Sequence, residues 1–178
     1  MNIKDITYSA IGAAVMAICA WISIPTPWHI AFTMQTFGVF AVTALLGGKR
    51  GTLAVAIYIL LGLAGLPVFS GFNGGAGTLL GATGGYILGF IPMCAVIWAA
   101  ERFVGGNMKT YIISALAGLV MCYAVGTLWY CGVFLGRISA RELASAMMLC
   151  VVPYIAFDLI KLSLAAVLRA KLKNCLFS

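Results

Sequence analysis

The sequence predicts an all-α, polytopic membrane protein, a compact bundle of six transmembrane helices. Three observations predict it: 63% of the 178 residues are hydrophobic, only 8% are charged, and the mean hydropathy is +1.10. A soluble domain carries about 25% charged residues, so four acids and eleven bases cannot cover a water-exposed surface. A soluble enzyme and a nucleic-acid-binding protein are therefore excluded. Each span needs about 20 mostly apolar residues, which limits the chain to about six or seven spans.

Six apolar runs are candidate spans, and charges, glycines or prolines separate them. The first is interpreted as a retained span, because it is long for a signal peptide and no convincing small-x-small cleavage site follows it. Residues 1–178 are interpreted as one integral membrane domain. The runs cover about Ile6 to Ile24, Ile30 to Gly48, Gly51 to Leu66, Tyr86 to Ala100, Tyr111 to Leu135 and Tyr154 to Leu172.

The segment before the last run has its own helix signal. Ser139 followed by Glu142 matches the capping-box pattern and predicts a helix to about Val152. Pro153 then lies near the first turn of a sixth span or kinks one longer helix. Either interpretation leaves six spans.

The basic residues are distributed unevenly between the two predicted sides. With six spans, the termini, the 2–3 loop and the 4–5 loop share one side, whereas the other side holds only Arg137 and Arg141. The positive-inside rule therefore predicts that both termini are cytoplasmic. The bases on that side are Lys4, Lys49, Arg50, Arg102, Lys109, Arg169, Lys171 and Lys173.

Asp158 and Lys161 are the first candidate site residues. They are three positions apart, share a helix face and lie one to two turns inside the predicted sixth span. Ionisable groups at that depth are costly and usually line an interior cavity. They either neutralise each other against the bundle or hold a polar ligand, and position favours the ligand.

A glycine-rich stretch, 71–85, is the second candidate, because it contains seven glycines and makes up most of a long external loop. Asn73 in this stretch is either a turn residue of a mobile loop or a ligand contact in a loop that closes over a cavity. Gln35, with Thr33 and Thr36, opens the second span from the same side. These polar groups either form hydrogen bonds with neighbouring helices or contact the ligand.

Aromatic residues gather near the same outer face. They form either an interface belt or the walls of an apolar pocket. They are Trp28, Phe32, Phe69, Phe72, Tyr86, Tyr154 and Phe157.

Small residues on the first span, Ala10-x-x-x-Ala14 and Ala13-x-x-x-Ala17, let another helix approach closely. The surface either packs inside the bundle or docks another subunit.

Several chemistries have no matching motif. Gly48-Lys49 lacks the upstream glycine of a phosphate-binding loop, and the sequence has no GxSxG, HExxH or CxxC. We expect no enzymatic activity, no metal site and no cofactor. An ATP-driven process would need partner proteins.

The order and spacing of four stretches resemble the BioY family, the biotin-binding S components of energy-coupling-factor transporters. The match runs from the first to the sixth span, although Ala82 and Ala156-Phe157 stand where the family commonly has Pro and Pro-Gly. The stretches are Pro25-x-Pro27 leading to Thr33-Met34-Gln35-Thr36; Leu61 to Phe69; Gly74-Gly75 through Gly81 to Tyr86 and Gly89-Phe90; and Pro153-Tyr154-x-x-x-Asp158-Leu159-x-Lys161.

The resemblance implies a six-helix bundle in a bacterial cell membrane that captures biotin in an outer cavity closed by a Gly-rich loop. Biotin would be the transported ligand and not a cofactor. The implied partners are membrane lipids, a transmembrane coupling protein that docks at Ala10 and Ala14, and two cytoplasmic ATPases. The residues expected to contact biotin are Asp158, Lys161, Asn73, Gln35, Thr33, Tyr86, Phe72 and Tyr154.

Two alternatives remain open at this point. The chain could be an S component for another vitamin. It could also be a self-sufficient secondary transporter driven by an ion gradient, which would require Asp158 to titrate during transport.

Overall fold

The protein is a bundle of long helices, and the computed structural model describes residues 3–26 and 30–176. Pro27, Trp28 and the side chain of Lys173 lie outside the described residues. The helices are α1 (Ile3–Trp21), α2 (Gln35–Leu63), α3 (Ala76–Leu80), α4 (Gly84–Phe103), α5 (Met108–Trp129), α6 (Ala140–Cys150) and α7 (Val152–Leu176). Strands β1 (Ser23–Ile24) and β2 (Phe32–Thr33) form a short antiparallel ribbon, a 3₁₀ turn covers Ser70–Phe72, and a π turn at Tyr130–Phe134 extends α5.

Helix α2 is two antiparallel arms joined at Gly47, whose φ of 81° is a left-handed conformation that favours glycine. The arms, 35–46 and 48–63, pack closely, since a Cβ on Gly51 would lie 2.5 Å from Cγ2 of Thr43. The predicted separation of the second and third spans near Gly48 is therefore confirmed. With α1, α4, α5 and α7, the two arms make six helical passes.

The length and composition of the helices fit a membrane. α1, α2, α4 and α5 with its π turn are each long and apolar enough to cross one, and α6 and α7 pass that test together. The last two helices are bent by 47°, and Pro153 lies in the first turn of α7. Ser139 caps α6, because its Oγ accepts a hydrogen bond from the backbone N–H of Glu142 at 3.2 Å. Thus the capped helix before the sixth span is confirmed, and its helix is separate from α7.

One end of the bundle, here called the basic end, collects the charged connections. Arg50 after the Gly47 turn pairs with Asp5 of α1 at 2.7 Å, and Arg169 of α7 pairs with Glu101 of α4 at 3.4 Å. The start of α1, the turn between the arms, the α4–α5 connection and the last turns of α7 therefore meet there, as the count of six spans predicted. At the opposite end lie the ribbon, residues 64–83 and α6.

The core lies between α1, the arms of α2, α4, α5 and α7. α2 packs against α1, α4 and α7, and α4 packs against α5. Side chains with no exposed surface include Met16, Val39, Phe40, Tyr58, Met93, Ile97 and Tyr111. This packing places the starts of α2, α4 and α7 side by side at the end opposite the basic end.

Candidate ligand-binding site

A small cavity lies among the first turns of α2, α4 and α7, with α5 as its inner wall. Its volume is about 70 Å³, enough for a few water molecules. Its polar lining residues are Thr33, Gln35, Thr36, Ser70, Thr83, Tyr86, Tyr123, Tyr154, Asp158 and Lys161. The cavity thus brings together the predicted site residues Thr33, Gln35, Tyr86, Tyr154, Asp158 and Lys161, but not Asn73.

Asp158 and Lys161 form an ion pair inside the bundle. Lys161 Nζ lies 2.7 Å from Asp158 Oδ1, and Lys161 is 7% and Asp158 4% exposed. The second carboxylate oxygen, Oδ2, accepts a hydrogen bond of 2.6 Å from the Tyr123 hydroxyl of α5. Each oxygen therefore has a donor, which the burial of a carboxylate requires. Because both residues line the cavity, the pair faces a space for a guest and not only the packed helices.

Gln35 begins α2 and is 6% exposed. Its Nε2 donates to the Tyr58 hydroxyl at 2.7 Å across the two arms, and its backbone N–H donates to Thr33 Oγ1 at 3.3 Å. Since Gln35 and Thr33 both line the cavity, the structure brings them together with the ion pair. The amide of Gln35 therefore has a structural partner in Tyr58, and its contact with a ligand stays a prediction.

Aromatic side chains form one wall of the cavity. Tyr154 is buried, stacks on Phe32 with ring centroids 4.4 Å apart, and donates its hydroxyl to the backbone oxygen of Ile30. Tyr86 lies 3.4 Å from Thr127 through their hydroxyl oxygens. Phe157 contacts Phe32 but is 52% exposed. The wall therefore joins the ribbon to α7.

The loop before α4 reaches the cavity at Ser70 and Thr83, but its tip around Phe72 and Asn73 is held outside it. Phe69 is fully buried against Gly62, where a Cβ would lie 2.0 Å from its ring. Phe72 is 63% exposed and stacks on Trp21 at 5.1 Å. Asn73 is exposed, and its amide donates to the backbone oxygen of Ser70 at 2.9 Å. Neither Phe72 nor Asn73 lines the cavity, so their contact with a ligand stays a prediction that needs the loop to move.

The small residues of α1 divide between two faces. Ala13 and Ala17 are buried in the core, whereas Ala10 and Ala14 are exposed on the outside of the bundle. Ala13 and Ala17 therefore pack inside the bundle, whereas docking of another subunit at Ala10 and Ala14 stays a prediction.

Tyr123 is the site residue that sequence reasoning missed. It lies in the middle of an apolar run, and nothing in its neighbours distinguishes a tyrosine that faces a cavity from one that faces lipid. Among residues 3–26 and 30–176, no group of three or more His, Cys, Asp or Glu side chains could hold a metal ion.

The model of the BioY family matches residues 1–177. The chain belongs to the BioY family. A biotin transporter BioY of Thermotoga maritima is 42% identical over 172 residues, which cover 96% of both chains. A probable biotin transporter BioY of Pyrococcus horikoshii is 34% identical over 98% of this chain and 99% of its own.

A solved BioY-like fold also matches. The crystal structure of the S-component for biotin from an ECF-type ABC transporter superposes with a TM-score of 0.80 at 29% identity, covering 97% of this chain and 92% of the other. The resemblance stated from the four sequence stretches is confirmed, and so is an all-helical membrane fold. The relatives are transporters, and the family assigns this chain to a membrane.

Proposed function

We propose that this BioY-family chain is the biotin-capture subunit, or S component, of an ATP-driven vitamin transporter. The single observation that carries the proposal is the buried Asp158–Lys161 pair facing a cavity, with Tyr123 on the second carboxylate oxygen. An ion pair deep in a membrane bundle is costly, and lining a ligand site is its usual use.

The chemistry of biotin fits the groups in the cavity. Its ureido ring has two N–H donors and a carbonyl, its bicycle is apolar, and its tail ends in a carboxylate. Asp158 accepts from ureido N–H groups, Lys161 donates to a carbonyl or carboxylate oxygen, and the Tyr154 wall packs on the bicycle. Thr33, Gln35 and Tyr86 supply further hydrogen-bonding groups in the same lining.

Ligand binding requires the cavity to widen. Ligand pockets usually measure about 300–1,000 Å³, whereas this one measures about 70 Å³. In this closed arrangement Asp158 and Lys161 neutralise each other, so no unpaired charge is buried when the site holds no ligand. We expect widening to swing residues 66–83 and to bring Asn73 and Phe72 towards the ligand.

The second part of the proposal concerns partners. Without a phosphate-binding loop of its own, the chain depends on a transmembrane coupling protein and two cytoplasmic ATPases. The exposed pair Ala10 and Ala14 offers a flat strip on α1 for the coupling protein. In this arrangement the basic end and both termini face the cytoplasm and the cavity faces outward.

Calorimetric titration of the purified protein tests the ligand. We expect biotin to bind and thiamin and riboflavin not to bind. Asp158→Asn and Lys161→Ala should each weaken biotin binding about fivefold or more, because each leaves a dry polar partner unmatched. Ser163→Ala on the exposed side of α7 is the matched control. Full biotin affinity in both site variants would refute the site, and tight binding of another vitamin would refute the ligand.

Co-purification tests the partners separately. Ala14→Trp should abolish recovery of the coupling protein and ATPases while leaving biotin binding unchanged. Leu164→Trp, at an exposed position on α7, is the control and should leave recovery intact. Biotin uptake that persists without ATPases and collapses with a proton uncoupler would instead support a secondary transporter.

A further inference from the structure

An apolar groove runs along the outside of the bundle between α4 and α5, close to the basic end. Its volume is about 340 Å³, and its walls include Val96, Ala100, Ile113 and Ala117. Ile113 is 68% exposed, so the groove opens to the surroundings of the bundle and not to its core. Since α4 and α5 are spanning helices, those surroundings are lipid.

The mouth of the groove carries positive charge. Lys109 belongs to its lining and is exposed, and Arg102 is exposed in the last turn of α4. Asn107 caps α5 at the same point, where the first N–H groups of a helix add partial positive charge. The exposed amine of Lys109 and the start of α5 thus lie at one end of an apolar channel, and Arg102 adds charge at the end of the neighbouring helix.

No acid in the described lining offsets this charge. Glu101, the neighbour of Arg102, is committed elsewhere: Oε2 accepts from the backbone N–H of Gly48 at 2.5 Å, and Oε1 faces Arg169 Nη1 at 3.4 Å. The exposed Lys109 in the lining therefore remains available to an external anion.

The charge lies at one end of the groove and the apolar walls extend from it, which matches the charged headgroup and the acyl chain of a phospholipid. Phe103, which ends α4, and Val104 after it are 82% and 72% exposed, so apolar surface reaches the level of the charged mouth. From Lys109 to Ala117 the helix rises about 12 Å, so the apolar channel continues from the charged mouth towards the hydrocarbon centre.

We propose that this groove is a binding site for one anionic phospholipid, with an acyl chain between α4 and α5 and its phosphate at Lys109 and the start of α5. A second apolar groove farther along α5, lined by Leu128, Leu143 and Met147 among others, is larger at about 500 Å³ but has no charged residue in its described lining. This second groove can hold an acyl chain but has no charge to select a headgroup. Of the two grooves, the one at Lys109 therefore distinguishes anionic from zwitterionic lipid.

Native mass spectrometry of the purified full chain with equimolar phosphatidylglycerol and phosphatidylcholine of identical acyl chains tests the proposal. The wild type should retain one phosphatidylglycerol in preference. Lys109→Gln should lower phosphatidylglycerol retention about fivefold, the scale of one base near an anionic lipid, and leave phosphatidylcholine unchanged. Ala117→Phe, which fills the groove, should lower retention of both. Glycerophosphoglycerol, which has no acyl chains, should not compete.

Matched variants separate a built site from general attraction. Lys49→Gln removes an exposed base at the same end outside the groove, and Ala99→Phe adds a ring at an exposed position outside its lining. Both should retain lipid as the wild type does, and thermal unfolding should show that all four variants fold. Equal retention of the two lipids by the wild type, or an equal loss with Lys49→Gln, would overturn the proposal. Neither outcome bears on biotin capture.

Discussion

Removing one member of the Asp158–Lys161 pair should destabilise the fold more than removing both. The side chains of Lys161 and Asp158 are 9% and 5% exposed, so Asp158→Asn leaves a buried ammonium and Lys161→Met a buried carboxylate. Loss of one partner of a buried pair costs about 3–5 kcal/mol, whereas exchange of both for neutral groups is often near neutral. At about 2–4 °C per kcal/mol for a chain of this size, each single variant should lower Tm by between about 6 and 20 °C.

The double variant Asp158→Asn/Lys161→Met separates stability from ligand binding. It should recover most of the lost Tm, since no net charge stays buried and Tyr123 can donate to the new amide oxygen. Biotin binding should remain weakened, because the carboxylate and the ammonium are both absent. Differential scanning fluorimetry and titration calorimetry on the same samples measure the two quantities. A double variant that binds biotin like the parent would reduce the pair to a structural role, and one as unstable as the singles would refute the charge argument.

Three further outcomes are expected. Tyr123→Phe keeps the ring but leaves Oδ2 of the buried Asp158 without its donor, so Tm should fall by several degrees and biotin affinity roughly tenfold in calorimetry. Unchanged affinity would make the hydroxyl irrelevant to the ligand. Gly62→Ala places a Cβ 2.0 Å from the Phe69 ring and should expose the loop to protease, while Gly77→Ala, with open space around it, should not. Arg169→Met removes a buried ion pair at the basic end, so Tm should drop while biotin affinity holds; a parallel loss of affinity would contradict the separation of the two ends.

The spans could be located from the sequence because charges, glycines or prolines interrupt each apolar run. The break at Gly47 lies within a few residues of Lys49-Arg50. The proximity of Asp158 and Lys161 followed from their spacing alone, since three positions on a helix bring side chains together. These features depend on local chemistry, which a single sequence contains.

Other parts of the site depend on tertiary contacts that a single sequence does not display. The contact of Tyr123 with Asp158 requires the rotation of α5 about its axis, and an apolar run without a polar face does not define that rotation. The path of the loop around Asn73 follows from the insertion of Phe69 beside Gly62, a contact between α2 and the loop. Helix positions were thus predictable, whereas helix orientation and loop anchoring were not.

The opposite exposure of Ala13 and Ala14 has an evolutionary consequence. Consecutive residues on a helix point about 100° apart. Core packing therefore constrains the inner strip that contains Ala13, whereas only contacts outside the bundle constrain the outer strip that contains Ala14. If the coupling protein docks on the outer strip, as proposed, residues of that strip can change with the transport assembly and leave the ligand cavity intact. Among relatives, the outer strip of α1 should therefore vary with the transport assembly that each chain joins, and the inner strip should vary little wherever the fold is the same.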